Sequence, residues 1–292
     1  MISRHVALVC DKNVKDISFA ELTTAAAAFQ MQATLHFGPA WGIMATVCAF
    51  PSVKDVPVGQ WPIVIKEDVP GDDFGYHTDK SRQPYAVLLP TSNWTITASH
   101  EVLEMLADPF GNHLIPGPSI RKNDKGRARY LLEVCDPCED SSYAYSINGV
   151  MVSDFILPAY FDPIETKGAR YSFTGAITEP RGLLPGGYLS FDDPLSGEMY
   201  QAVQDRKGSP KIINLGSSTG RLSLREFSHA QARLRRVPTE SPKFSFHPED
   251  SNVKEIEIRR KAAATASAET AARLLRQRAL RNGNGVAKRT KR

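Results

Sequence analysis

Apolar and polar positions change period several times along this chain, and each change predicts an element. His5–Cys10 is a continuous apolar run and reads as a buried strand. Ser18 stands where an N-cap belongs, and Glu21 three residues on completes a capping box. The Ala-, Leu-, Met- and Gln-rich stretch from Phe19 to about Phe37 then favours helix, and Gly38-Pro39 is expected to stop it. Trp41–Phe50 and Trp61–Lys66 are short β-rich runs, Pro70-Gly71-Asp72-Asp73 is a turn, and Gln83–Leu89 is another strand. A second helix, capped by Asn93 or Thr95, runs through His100 to about Ala107 and ends at Asp108-Pro109. Loop-rich residues follow, with Pro116-Gly117-Pro118 and Asn123-Asp124-Lys125-Gly126 among them. Tyr130–Val134 reads as a strand, and Tyr143–Ile147 and Val150–Phe155 flank Asn148-Gly149 as a hairpin with a type I′ turn. Tyr171–Phe173, Tyr188–Phe191 and Met199–Val203 are short strands between Gly/Pro turns.

This order predicts an α+β chain in three parts. Residues 1–163 form a domain of mixed sheet with packed helices, 164–237 a small β-rich appendage, and 238–292 an Ala/Arg-rich tail. The tail is expected to be helical near Thr265–Leu280 and otherwise disordered. With 292 residues, 41% of them hydrophobic and 23% charged, the composition is that of a globular protein with a substantial core. No apolar run approaches the roughly 18 residues of a membrane span. The N-terminal apolar run, Val6 to Cys10, is too short for a signal peptide, so a cytoplasmic location is expected.

Charge is distributed unevenly. Residues 205–292 hold 21 Lys/Arg against 8 Asp/Glu, and the first 204 hold 15 against 24, so a net charge of +4 conceals an acidic body with a basic tail. That tail is a candidate for neutralising phosphates on nucleic acid, although no aromatic residue is interleaved from Arg259 onward to stack on bases. Four cysteines in a chain of this length are not a disulfide framework. Cys10 and Cys48 are expected as small buried hydrophobes, and Cys135-x-x-Cys138 is half of a zinc ribbon with no second pair to complete it.

The candidate chemistry lies on the second helix, at His100-Glu101-x-x-Glu104. Residues four apart share a helix face about 6 Å apart along the axis, so His100 and Glu104 can ligate one ion, with Glu101 displaced about 100° beside them. A carboxylate ligand is allowed for Zn²⁺ and also brings Ca²⁺, Mg²⁺ and Mn²⁺ into play. Val102, Leu103, Met105 and Leu106 surround the acidic positions, so the helix should be buried and its carboxylates should need a cation or hydrogen-bond donors. Asp108 sits at the helix end that disfavours an acid and reads as a residue that either supports the ligands from behind or organises the loop. A third ligand is expected downstream, where Glu133, Asp136, Glu139 and Asp140 fall within eight residues.

These two motifs, His100-Glu101-x-x-Glu104-x-x-x-Asp108-Pro109 and Glu133-x-x-Asp136-x-Cys138-Glu139, resemble a zincin-like group that includes plant exordium-type proteins and microbial relatives. The resemblance spans roughly residues 5–163, including Phe74–Asp79 and Val152–Phe155, and weakly the Pro185–Tyr188 region. It implies a zincin-like fold in which His100 and Glu104 are metal ligands, Glu133 or Asp136 is the third, and Glu101 is the water-activating base. His77 is a candidate further ligand or oxyanion donor. The chain departs from the zinc-peptidase pattern in lacking a second helix histidine. The leading expectation is a metal-dependent, peptidase-like hydrolase acting on a peptide or protein, with zinc first among the ions. The alternatives are a non-catalytic partner-binding protein with a structural ion, and a basic-tailed nucleic-acid-associated protein.

Overall fold

The computed structural model describes residues 3–69, 74–122, 124, 126–205, 210–221 and 223–235. It is a mixed α+β arrangement. A first sheet forms from β1 (Ser3–Cys10), β2 (Met44–Phe50), β3 (Trp61–Ile65), β4 (Gly75–Lys80) and β5 (Gln83–Leu88), in the spatial order β2-β1-β3-β5-β4. β1, β2, β3 and β5 run parallel, and β4 lies antiparallel on the edge. Val6, Ala7, Leu8 and Val9 of the interior strand β1 are all inaccessible, as a parallel strand covered on both faces requires.

Helix α1 (Phe19–Met31) opens with the expected capping box: Ser18 N donates to Glu21 Oε2 at 2.8 Å, and Glu21 N donates to Ser18 Oγ at 3.2 Å. Gly38-Pro39 does not end it. A wide-turned π stretch, Gln32–Phe37, carries the helix into α2 (Gly38–Trp41), and Gly42 at φ 70° stops it. In that stretch the Gly38 N–H already reaches back five residues to Ala33 O, so the ladder has changed register before the proline arrives. Trp41 therefore belongs to the helix and not to the strand expected from 41.

The site-bearing helix is α3 (Trp94–Ala107), which packs against β4, β5 and the hairpin β8 (Tyr145–Ile147)–β9 (Val150–Val152). Asn148 and Gly149 both take positive φ in the hairpin, as its turn demands. Gln32 Nε2 donates to Ser153 O at 2.8 Å, and Ser153 N donates to Ser99 Oγ of α3 at 2.8 Å. The π stretch thus helps to fix where α3 lies.

A second, wholly antiparallel sheet has the order β12-β11-β10-β7-β6, from β6 (Leu114–Pro118), β7 (Arg127–Leu131), β10 (Tyr188–Asp192), β11 (Glu198–Val203) and β12 (Lys211–Ser217). The boundary expected at 163 runs through this sheet, since Phe191 pairs with Tyr130 and Asp192 with Arg129. One apolar core also joins Val6 and Leu8 to Leu189, Phe191 and Ala202. Residues after 163 therefore complete the same body. Helix α4 (Leu224–Arg235) lies on β11 and β12, with Phe227 and Ala232 in a cluster with Leu131, Met199 and Leu215.

β4, β6, β12 and α4 were not anticipated from the pattern. β6 carries Pro116 and Pro118, which an edge strand tolerates because one side needs no donors. Tyr171–Phe173 contributes an isolated bridge, Ile156 to Ser172, instead of a strand. Cys48 is exposed on edge strand β2 and Cys10 is half-buried, so neither is the buried hydrophobe expected. The turn at 70–73 and the tail at 238–292, with its expected helix, lie outside the described residues. Among the described residues no helix is long and apolar enough to cross a membrane.

Candidate metal centre

Helix α3 drives Ala98, Val102, Leu103, Met105 and Leu106 into the core, and Glu101 and Glu104 are buried with them. The i,i+4 spacing puts His100 Nε2 3.1 Å from Glu104 Oε2. Asp136 Oδ1 comes to 3.3 Å of the same nitrogen from the loop after β7. Two contacts hold that loop in place. Cys135 N donates to Glu104 Oε1 at 3.1 Å, and Leu184 N donates to Pro137 O at 3.0 Å. Gly187 allows the close approach, because a Cβ there would collide with the carbonyl oxygens of Pro137 and Asp136.

Glu104 Oε2 and Asp136 Oδ1 are buried and have no hydrogen-bond partner among the described residues. They approach His100 without the alignment of hydrogen bonds. A buried acceptor left unmade costs about 1–3 kcal/mol, and more when charged, so two such atoms beside His100 Nε2 require a positive charge there, either a proton on His100 or an ion in its place. Donors held about 2.1 Å from a common ion stand at most about 4.2 Å apart. His100 Nε2 meets that limit with Glu104 and with Asp136 singly. The triads whose donor atoms all lie within 4.8 Å of one another are His100–Glu104–Cys135 and His77–Glu104–Glu133, so an ion shared with Asp136 requires its loop to shift inward. Of the three side chains, His100 keeps 13% exposure, and Glu104 and Asp136 are buried.

The opposite side of Glu104 is differently made. Glu133 Oε2 accepts from Arg225 Nε at 3.1 Å, and Arg225 Nη2 lies 3.7 Å from both Glu101 Oε2 and Glu104 Oε2. Arg225 Nη1 donates to His77 O at 2.5 Å. His77, fully buried on β4, has Nδ1 at 3.2 Å from Glu101 Oε2 and Nε2 at 3.1 Å from Asp108 O. The Asp108 carbonyl holds the ring through Nε2, which leaves Nδ1 facing the Glu101 carboxylate. Asp108 Oδ2 accepts from His113 N at 2.7 Å, which is the loop-organising part expected of it.

All five residues singled out in the sequence, His100, Glu101, Glu104, Glu133 and Asp136, converge in this cluster. Donor atoms of His100, Glu104 and Cys135, and separately of His77, Glu104 and Glu133, each lie within 4.8 Å of one another. Arg225 was not foreseen, and nothing in Leu224-Arg225-Glu226-Phe227 distinguishes it among 36 Lys/Arg.

The electrostatics reflect too much negative charge in too little water. Burial opposes charging His100, but Glu104 and Asp136 outweigh it and raise its pKa well above the ordinary value. Burial also opposes ionised Glu104, yet His100, Arg225 and His77 hold its pKa well below the usual range. Burial, then the charge of Glu104, raises Asp136 to about 7 against the opposing pull of His100. Glu133 is raised for the same two reasons, with Arg225 opposing. Burial keeps Cys135 and Cys138 as thiols, with Glu104 adding to the effect on Cys135 and Asp154 to that on Cys138. Cys135 Sγ accordingly donates weakly to His100 O at 3.8 Å. The chain matches no protein-family model, no curated protein and no solved structure.

Proposed function

We propose that the cluster is the divalent-metal centre of a zincin-like hydrolase, with His100, Glu104 and Asp136 as ligands and Glu101 as general base. The observation that carries this reading is the convergence of two orphaned, buried carboxylate oxygens, Glu104 Oε2 and Asp136 Oδ1, on His100 Nε2. Zn²⁺ suits the mixed nitrogen and carboxylate set, and Mn²⁺, Mg²⁺ or Ca²⁺ would be drawn by its oxygens. When bound, such an ion supplies Lewis acidity, polarising a substrate carbonyl such as that of a peptide and acidifying an adjacent water.

The residues of the chain do the rest. Glu101 takes the proton of the attacking water on its carboxylate and passes it to the leaving group. His77 Nδ1, against Glu101 Oε2, fixes the direction in which that carboxylate faces. Arg225 Nη2 lies 3.7 Å from the same oxygen and supplies a positive charge beside it. The exposed part of His100 is the side from which a substrate would approach.

Metal analysis of purified protein tests the reading, together with a screen of peptide substrates on the wild type and Glu101→Gln. Stoichiometric metal with a Glu101-dependent activity is the expected result; a protein that binds no divalent ion ends the proposal. A second reading, a structural ion in a partner-binding protein, is favoured by the depth of the carboxylates, each of them 3% exposed or less. Water-proton relaxation of Mn²⁺-loaded protein separates the two, because a closed structural site offers no exchanging water.

A further inference from the structure

The cluster has two sides that share Glu104. On one, two acceptor atoms face His100 and are unfilled. On the other, Glu101, Glu104 and Glu133 surround the guanidinium of Arg225, which is itself buried. Like charges packed together away from water repel strongly. Three buried carboxylates on one side therefore require a cation, and the fold has brought one from far along the chain. Arg225 is anchored for this task. Its backbone N–H and that of Leu224 donate to Gly111 O, Leu224 N also donates to Asn112 Oδ1, and Thr78 Oγ1 donates to Glu226 Oε1.

The same place is a metal-capable one. The donor atoms of His77, Glu104 and Glu133 lie within 4.8 Å of one another, and Glu133 Oε1 is buried without a partner among the described residues. Carboxylate-bridged two-metal sites have their ions about 3.5–4 Å apart, with a shared carboxylate between them, which is the position of Glu104 here.

We infer that Arg225 is a resident cation standing where a second divalent ion would bind, so that the protein takes one ion, on the His100–Asp136 side, and Glu133 is not a ligand. The inference rests on the metal reading above for the first ion but not for the second position. A guanidinium cannot be removed by a chelator and does not titrate in the working range. The Glu101 side of the cluster therefore keeps its countercharge whatever the supply of metal.

Equilibrium dialysis against Zn²⁺ and Mn²⁺, with stoichiometry measured by elemental analysis, tests this. Wild type should hold one equivalent. Asp136→Asn should lose it, whereas Glu133→Gln should keep one equivalent with an affinity loss no greater than the roughly 10–100-fold typical of groups outside the ligand set. Arg225→Gln should take a second equivalent, and Arg225→Lys should stay at one. If Arg225→Gln folds only when metal is added, that rescue supports the inference. If it does not fold at all, the double variant Arg225→Gln/Glu133→Gln, which removes both charges, should fold and hold one ion; two ions in it would overturn the inference. Loss of the ion from Glu133→Gln, or a folded Arg225→Gln that stays at one equivalent, would also overturn it. A wild type without metal would sink the proposed function alone, and Arg225→Gln gaining one equivalent would still uphold the resident cation.

Discussion

Two aspartates lie at similar depth in this molecule and are treated in opposite ways. Asp154 is fully buried, and Thr174 satisfies both its oxygens: the backbone N–H donates to Oδ1 at 3.0 Å and the hydroxyl to Oδ2 at 2.6 Å. Asp136 is 2% exposed, and its Oδ1 faces His100 without a hydrogen bond. Burial raises the pKa of both. At Asp154 the hydrogen bonds from Thr174 offset it, while at Asp136 the charge of Glu104 adds to it. Depth alone does not mark a functional acid. What differs is the partner set: Asp154 is held by hydrogen bonds from Thr174, whereas Asp136 Oδ1 has His100 beside it.

The sharpest way to break this comparison is to remove a group from each place. His100→Ala should abolish stoichiometric metal, since two protein ligands compete poorly with water. Asp154→Asn should leave metal content intact and destabilise the fold by about 1–3 kcal/mol, the cost of spoiling a buried hydrogen-bonded pair. Metal analysis and Tm of both variants decide it, and metal lost equally from both would erase the distinction.

Next in size is Glu101→Gln. It keeps shape and the contact to His77, and Glu101 is not a ligand, so metal content should persist while turnover falls by roughly 10²–10⁴-fold. A variant that loses its metal instead would make Glu101 a ligand.

Acid and base give a smaller, graded effect. Asp136 has a pKa near 3.9 when unfolded and about 7 in the metal-free fold. Between those values the native state binds the extra proton, so its contribution to stability falls as pH rises from about 4 to about 7. His100, raised in the fold, contributes stability below its unfolded pKa and loses it as pH rises through the folded value. An ion needs both groups deprotonated, so the Tm gap between loaded and chelated protein should widen from pH ~5 to ~8. A gap that narrows would mean that these groups do not hold the ion.

The smallest effect is expected from Cys135→Ser with Cys138→Ser. Cys135 lies within 4.8 Å of the donor atoms of His100 and Glu104, but both thiols are held protonated, and metal content should hardly change. Substituting Co²⁺ gives an independent check, because a sulfur-to-cobalt absorption band in the wild type would make Cys135 a ligand.

Much of the site was legible because it is local. His100, Glu101 and Glu104 are spaced by the helix period, and the apolar residues between them dictate that the helix is buried. The capping box at Ser18 and Glu21 and the Asn148-Gly149 turn were legible for the same reason: each is a short-range rule satisfied within four residues. Edge strands were not. β4 and β6 are polar or proline-bearing, and what makes them strands is the neighbour they pair with.

By itself the sequence determined the helix, its apolar burial and an acid-rich loop to follow, since periodicity and spacing are properties of adjacent residues. Only tertiary structure gave Glu133 and Asp136 different partners. It closed one sheet across residue 163 and laid α4 on it, so that Arg225 reached Glu133 while Asp136 was left facing His100. No local pattern encodes that choice. It depends on which charge arrives from more than ninety residues away, because in a buried site each carboxylate pairs with the cation that the fold brings nearest to it.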